Sequence, residues 1–280
     1  MRSLLFVPAD SERKIEKAMA SSADVVILDL EDSVAPQNKP AARSLSAKTL
    51  TMSRSGPQVY VRVNALDTGL TSDDLDVVLP AGPDGLIQPK TETGACVERL
   101  AELAGSQIPV IAIATETANA MFGLGTYRGI AGNLQGMAWG AEDLSNELGA
   151  LANRDADGVL TEPYRLARSL CLFGARAAAV EPVDTVYVDF RDASGLERSC
   201  MEAVRDGFTC KMAIHPAQVE VINRAFTPSK QQVAEARDIV AAFAEAGDAG
   251  VVGIGGKMYD IPHLHRSRKL LERATVYGVA

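Results

Sequence analysis

Ile111-Ala-Ile-Ala-Thr-Glu-Thr117 and, one supersecondary unit later, Gly136-Met-Ala-Trp-Gly-Ala-Glu-Asp-Leu144 are the two stretches on which the fold turns. Each is a short apolar run of strand type that ends in a carboxylate, which is how an acid on a buried strand reaches the mouth of a parallel barrel. Glu116 and Asp143 therefore form a candidate pair. With no Cys or His nearby at metal-ligand spacing, the pair suits a hard ion such as magnesium, which keeps positions open for water and substrate. A second reading stands beside it: each acid caps the helix that follows, since Asp and Glu are common at helix starts.

Outward from this pair, the 280-residue chain offers eight short apolar runs: Leu4 to Val7, Val25 to Leu30, Val59 to Val63, Gly85 to Gln88, Val110 to Ala114, Met137 to Gly140, Thr185 to Asp189 and Lys211 to Ile214. Most are followed by a turn signal and an amphipathic stretch of helix length. Strand alternating with helix implies a parallel sheet, and eight such units point to a closed (β/α)8 TIM barrel. An open doubly wound sheet would carry a glycine-rich phosphate turn after its first strand, where this chain reads Pro8-Ala-Asp-Ser-Glu.

Barrel active sites form at the carboxyl ends of the strands, and here those ends are polar. The runs close as Asp29-Leu-Glu-Asp32, Val61-Arg-Val-Asn64, Gln88-Pro-Lys90, Glu116, Glu142-Asp143, Asp189-Phe-Arg-Asp192 and His215-Pro. Among the helices, Asp10 or Ser11 can cap one that runs through Ala20 and carries Arg13, Lys14 and Lys17, and Glu162-Pro163 opens another that ends near Ala179. After the eighth strand, Lys230 to Ala246 reads as an exposed helix. A glycine-rich segment from Gly247 to Asp260 follows, and a last helix runs from about Leu264 to Ala274. The glycines fit a mobile lid or a plain hairpin that packs the terminal helix. The chain thus divides into a barrel core over 1–216 and a helical extension with a glycine-rich lid over 217–280.

A formal net charge of -8, from 28 Lys plus Arg against 36 Asp plus Glu, argues against a general nucleic-acid binder but leaves room for a local basic patch. Cys96, Cys171, Cys200 and Cys210 form no CxxC pair, so neither a zinc site nor a disulfide framework is indicated. The first residues turn polar too soon for a signal peptide, and no apolar run approaches the ~20 residues that span a bilayer. A soluble, cytoplasmic protein is expected.

The motifs Leu5-Phe-Val-Pro8, Asp29-Leu-Glu-Asp-Ser-Val34, Val61-Arg-Val-Asn64, Gln88-Pro-Lys90, Glu116-Thr117, Gly140-Ala-Glu-Asp-Leu144, Asp189-Phe-Arg-Asp192, Ile214-His-Pro216 and Gly256-Lys-Met-Tyr-Asp260, in this order, resemble the citrate lyase beta-subunit family. Its superfamily also holds malyl-CoA lyases, citramalyl-CoA lyases and the HpcH/HpaI aldolases. The resemblance implies a TIM barrel, magnesium held by Glu116 and Asp143, and a homotrimer in which the lid of one subunit completes a neighbour's site. It implies that Arg62 contacts substrate oxygens, that Asp260 is the lid aspartate, and that Glu31 and Asp32 support the arginine and the metal's water shell. Arg13, Lys14, Lys17 and Lys90 become candidates for coenzyme A phosphates. Two departures stand out: the first loop lacks a glycine after Pro8, and Thr209-Cys210 precedes Lys211 where a glycine is common. Cys210 and His215 read as packing and loop-holding residues.

The activity so implied is magnesium-dependent cleavage of a 3-hydroxyacyl-CoA, citramalyl-CoA or malyl-CoA, to acetyl-CoA and a keto acid, pyruvate or glyoxylate. The alternatives on the same scaffold are a malyl-CoA thioesterase and a citrate lyase beta subunit that acts on a citryl-carrier protein within a complex.

Overall fold

Strand and helix alternate along the chain as the apolar runs require. In the computed structural model the described residues are 1–52, 56–105, 107–130, 133–247 and 249–280. The strands of the first unit are β1 (Ser3–Pro8), β2 (Val25–Asp29), β3 (Gln58–Arg62), β4 (Gly85–Gln88), β5 (Val110–Ile113), β6 (Leu134–Ala138), β7 (Glu181–Asp184) and β8 (Cys210–Ala213). Between and after them run α1 (Glu12–Met19), α2 (Lys39–Thr51), α3 (Thr71–Val78), α4 (Gly94–Ala104), α5 (Ala120–Gly123), α6 (Ala141–Glu147), α7 (Glu162–Ala177), α8 (Ala193–Asp206) and α9 (Pro216–Phe226). Each strand pairs in parallel with the next, and β8 returns to β1 with Leu4 opposite Met212, so the barrel closes.

Alternation decides which side chains fill it. Leu4, Ile27, Tyr60, Ile87, Ile111, Ala138, Val183 and Met212 point inward and form one buried cluster, each large apolar side chain contributing about 1.5–3 kcal/mol by leaving water. The residues between them face the helices. On that outer side Asp184 accepts hydrogen bonds from Lys211 Nζ at 2.6 Å, Trp139 Nε1 at 2.7 Å and Arg168 Nε at 3.3 Å. Burial pushes the Asp184 carboxyl up, but Lys211 and Arg168 outweigh it and hold the group below its ordinary value.

This ion cluster explains one departure from the sequence reading. The seventh strand is Glu181–Asp184, not Thr185 to Asp189. A strand spelled Glu-Pro-Val-Asp gives no apolar signal, because its acid is stabilised by a lysine that lies far away in sequence. The β-rich Thr-Val-Tyr-Val that follows is instead a loop at the barrel mouth. Tyr187 in that loop donates to Asp192, and Val188 is exposed.

The second unit, Arg224–Ala280, holds α10 (Lys230–Ala246), β9 (Val251–Ile254), β10 (Lys257–Asp260) and α11 (Ile261–Val276). Ser229 caps α10 in a capping box with Gln232. The glycine-rich segment is a hairpin in which Gly255 and Gly256, at φ 56° and 81°, make the two-residue turn that the twist of paired strands favours. Ile239, Phe243, Val252 and Leu264 form its small core.

Candidate active site

Asp29 ends β2 and Arg62 ends β3, in register with each other. The guanidinium grips the carboxylate through two parallel bonds, Nε to Oδ1 at 2.6 Å and Nη2 to Oδ2 at 2.7 Å. Asp29 also accepts from the backbone N–H groups of Glu31 at 2.9 Å and Ser33 at 3.3 Å, which folds the Asp-Leu-Glu-Asp loop back over the strand end. Burial alone would raise the Asp29 carboxyl, but Arg62, then Ser33 and the Glu31 amide, reverse the sign and hold it below its ordinary value. Arg62 lies 2.9 Å from Glu31 Oε2 as well, so the arginine is fixed from two sides with its charge held permanently.

Lys90 follows β4 with a φ of 51°, in the left-handed region. Its ammonium reaches back to Glu31 Oε1 at 2.5 Å and Asp32 Oδ2 at 3.0 Å, and stands 3.8 Å from Asp143 Oδ1. Its backbone N–H points the other way and donates to Glu116 Oε2 at 2.5 Å. Glu116 is buried beyond the end of β5, and its carboxyl is pushed up to about 8, first by burial and then by the Asp143 charge beside it. Gly140, just past β6, leaves the space Glu116 needs, since a Cβ there would stand 2.7 Å from Glu116 Cγ.

Asp29, Arg62, Glu116, Gly140 and Asp143 line one cavity of about 290 Å³ at the barrel mouth. Arg62, Glu116, Glu142 and Asp143 supply its charge, and Phe6, Ile113, Val186 and Met212 supply its apolar wall. The mouth thus gathers six of the expected residues: Arg62, Glu31, Asp32, Lys90, Glu116 and Asp143. Arg13, Lys14 and Lys17 lie on the exposed face of α1, and among the described residues they make no ion pair. Asp260 belongs to the second unit, at the junction of β10 and α11. Its amide donates to His263 Nδ1 at 3.2 Å, the same ring touches its carboxylate, and the carboxyl is held below its ordinary value mainly by that contact. His215 stacks on Phe190, with ring centroids 4.6 Å apart.

The sequence reading missed the supports of the site. Lys39 is buried and donates to the carbonyls of Leu30 at 2.7 Å and Glu31 at 3.0 Å and to Asn64 Oδ1 at 2.6 Å, tying the ends of β2 and β3 together. Asp74 accepts from both nitrogens of Asn64 and from Arg43. Gln218, also buried, holds the amides of Ile214 and His215 and the carbonyl of Tyr187. Asp29 itself stood in a quoted motif without a role.

The residues fit a divalent cation. Glu116 and Asp143 are like charges, one of them fully buried and reluctant to ionise, and a cation between them would remove that penalty. Among the described residues no three Asp, Glu, His or Cys side chains converge as a complete ligand set. A two-carboxylate site suits magnesium, which keeps several waters and takes its remaining ligands from substrate.

The closed parallel ring of eight strands, with its charged groups gathered at one mouth, is a TIM barrel. A family described as HpcH/HpaI aldolase/citrate lyase matches residues 2–216, and one described as a C-C bond lyase of the TIM-barrel fold matches residues 167–279. The chain is 37% identical over 282 residues to a (3S)-malyl-CoA thioesterase of Cereibacter sphaeroides, covering 98% of this chain and 94% of that one. It is 32% identical over 297 residues to the mitochondrial citramalyl-CoA lyase of Rattus norvegicus, covering 98% and 86%. The crystal structure of CitE from Mycobacterium tuberculosis in complex with magnesium, acetoacetate and coenzyme A superposes with a TM-score of 0.84 at 35% identity, over 98% of each chain. The chain belongs to the HpcH/HpaI aldolase/citrate lyase family.

Proposed function

We propose that this chain is a magnesium-dependent lyase that cleaves a 3-hydroxyacyl-CoA, of the citramalyl-CoA or malyl-CoA kind, into acetyl-CoA and a short 2-oxo acid. The observation that carries the reading is the pairing of buried Glu116 with Asp143 in a cavity that also presents a fixed arginine. Bound by Glu116 and Asp143, magnesium would supply Lewis acidity toward the hydroxyl and carboxylate of the substrate's hydroxy-acid end.

This chain's own groups do the rest. Arg62, held rigid by Asp29 and Glu31, donates to the thioester oxygen on which enolate charge develops as the carbon–carbon bond breaks. Glu31, Asp32 and Lys90 form a charged shell that orients Arg62 and the water around the acid pair. In this arrangement Lys90 serves the acids, which leaves Arg13, Lys14 and Lys17 for the coenzyme A phosphates. Asp260, ionised at neutral pH, removes the proton from the acetyl carbon in the condensation direction and, by reversibility, returns it in cleavage. We assign that aspartate to the site of a neighbouring subunit in a homotrimer. Phe122 and Leu151, at 91% and 106% exposure, are large apolar residues that association would cover. A reducing compartment, the cytoplasm, suits its four free cysteines.

The likeness to the malyl-CoA thioesterase favours a second reading, in which water attacks the thioester on the same scaffold. One assay separates the two. Purified protein is given magnesium and either citramalyl-CoA or malyl-CoA, with keto acid and free thiol followed separately. Keto acid without free thiol, lost on chelation and in Asp260→Asn, establishes the lyase; free thiol without keto acid establishes the thioesterase. Neither product from either substrate overturns both readings and directs the search to a citryl-carrier protein.

A further inference from the structure

Thr185 is the first residue beyond β7. The alternation of that strand turns Val183 into the barrel core and Asp184 outward to Lys211, so the next side chain faces inward again, and Thr185 lines the cavity at the mouth. It is 3% exposed, and its Oγ1 has no hydrogen-bond partner. A buried hydroxyl without a partner is costly, and folded proteins seldom keep one without a use.

The fold holds this hydroxyl in place. The loop that begins at Thr185 is pinned two residues on, where Gln218 Nε2 donates to the Tyr187 carbonyl at 2.7 Å while its Oε1 takes the amides of Ile214 and His215. The loop that carries Thr185 is thereby tied to the chain beyond β8 through one buried amide side chain. A polar group fixed in this way is arranged before any ligand arrives, which is the condition for a directional contact.

Strand order says which part of a ligand the hydroxyl meets. In the closed ring β7 is next to β6, whose end leads to Asp143, while β3 with Arg62 stands on the opposite wall. A ligand spanning the cavity would place the end held by Glu116 and Asp143 beside Thr185 and the other end beside Arg62. The neighbouring wall residues Val186, Ile113 and Met212 are apolar, so Thr185 supplies the neutral polar contact on that side. We infer that the Thr185 hydroxyl donates to a carboxylate oxygen of the short 2-oxo acid and, with the apolar residues around it, sets which such acid the site accepts. This inference rests on the lyase reading above.

The test is pyruvate binding to the full-length protein in excess magnesium, by ligand-observed NMR titration, for wild type, Thr185→Val and Thr185→Ser, with melting temperatures measured alongside. Valine keeps the shape and removes the hydroxyl; serine keeps the hydroxyl and removes the methyl. Loss of a hydrogen bond to a charged group predicts pyruvate affinity roughly tenfold or more weaker in Thr185→Val. Binding is expected to stay near the wild-type value in Thr185→Ser. The melting temperature of Thr185→Val should not fall, because an unpaired buried hydroxyl has been removed. A hydroxyl with a merely structural partner gives the reverse, a lowered melting temperature with unchanged affinity, and overturns the inference. Equal weakening in both variants overturns it too, since shape and not the hydroxyl would then matter. Wild-type affinity for pyruvate in Thr185→Val sinks this inference alone. If wild type binds neither pyruvate nor, titrated in the same way, glyoxylate in magnesium, the lyase reading falls with it.

Discussion

The backbone N–H of Lys90 donates to Glu116 Oε2 across 2.5 Å, and it does so from a left-handed conformation with φ 51°. One residue thereby serves two sides of the mouth, its amide held on the buried acid of β5 and its ammonium on the acids that follow β2. Only the backbone turn at this position lets both contacts form at once. A non-glycine residue in that region is strained by about 1–3 kcal/mol, and the site keeps the strain because both contacts depend on it.

This separates two variants that share the loss of charge. Lys90→Gly removes the ammonium and the strain, whereas Lys90→Ala removes the ammonium and keeps the strain. Chemical denaturation should find Lys90→Gly more stable than Lys90→Ala by about 1 kcal/mol, with both reduced in activity. Equal stability would show that the left-handed turn carries no cost here.

Glu116 gives the protein a pH signature. Between its ordinary 4.5 and its folded value of about 8, the folded protein holds a proton that the unfolded chain has released. The metal-free protein should therefore lose stability as pH rises through that window, at about 1.4 kcal/mol per pH unit from this group. Magnesium requires the carboxylate, so its affinity should rise toward pH 8 with release of a proton. Thermal melts from pH 5 to 9, in chelator and in magnesium, should diverge with increasing pH. Glu116→Gln should remove the divergence.

Gly140 is the cheapest way to damage the acid pair without touching it. A Cβ at this position meets Glu116 Cγ at 2.7 Å and Oε1 at 3.2 Å, so Gly140→Ala must push the buried carboxylate aside. Overpacking of this kind costs about 1–3 kcal/mol. We expect a modest fall in melting temperature and a much larger fall in magnesium affinity, read by calorimetric titration. A variant that folds and binds magnesium normally would show that Glu116 has room to move.

The barrel could be read from sequence because most of its strands are apolar runs that stop at polar residues, and the acids at those stops are the ones the mouth gathers. Reading failed where a strand borrows its stability from elsewhere. β7 contains Glu181, Pro182 and Asp184, and it is a strand because Lys211 and Trp139 satisfy Asp184 from other elements. The same holds for the supports. Lys39 looks like any surface lysine of a helix start, yet it is buried on two carbonyls and Asn64. Nothing local to its sequence distinguishes it, because its partners are 8 to 25 residues away and come together only when β2 and β3 pair. Thr185 was hidden for a related reason: its inward direction follows from the true end of β7.

Asp260 offers the last test, and its place at the start of α11 makes the test clean. It stands at the N-cap position, half exposed, with His263 against it. Asparagine is as good an N-cap as aspartate, so Asp260→Asn should fold with near wild-type stability while losing the acid. Magnesium and pyruvate binding should persist and turnover should collapse. If sites are shared between subunits of a cyclic oligomer, mixing Asp260→Asn with Glu116→Gln protein and letting subunits exchange would rebuild some intact sites, up to about one in four. Each variant alone would be inactive, so recovered turnover in the mixture would come from sites built by two chains. If the mixture is as inactive as its components while size measurements confirm that subunits have exchanged, then each chain supplies its own Asp260, and the assignment of that residue to a neighbour's site is wrong.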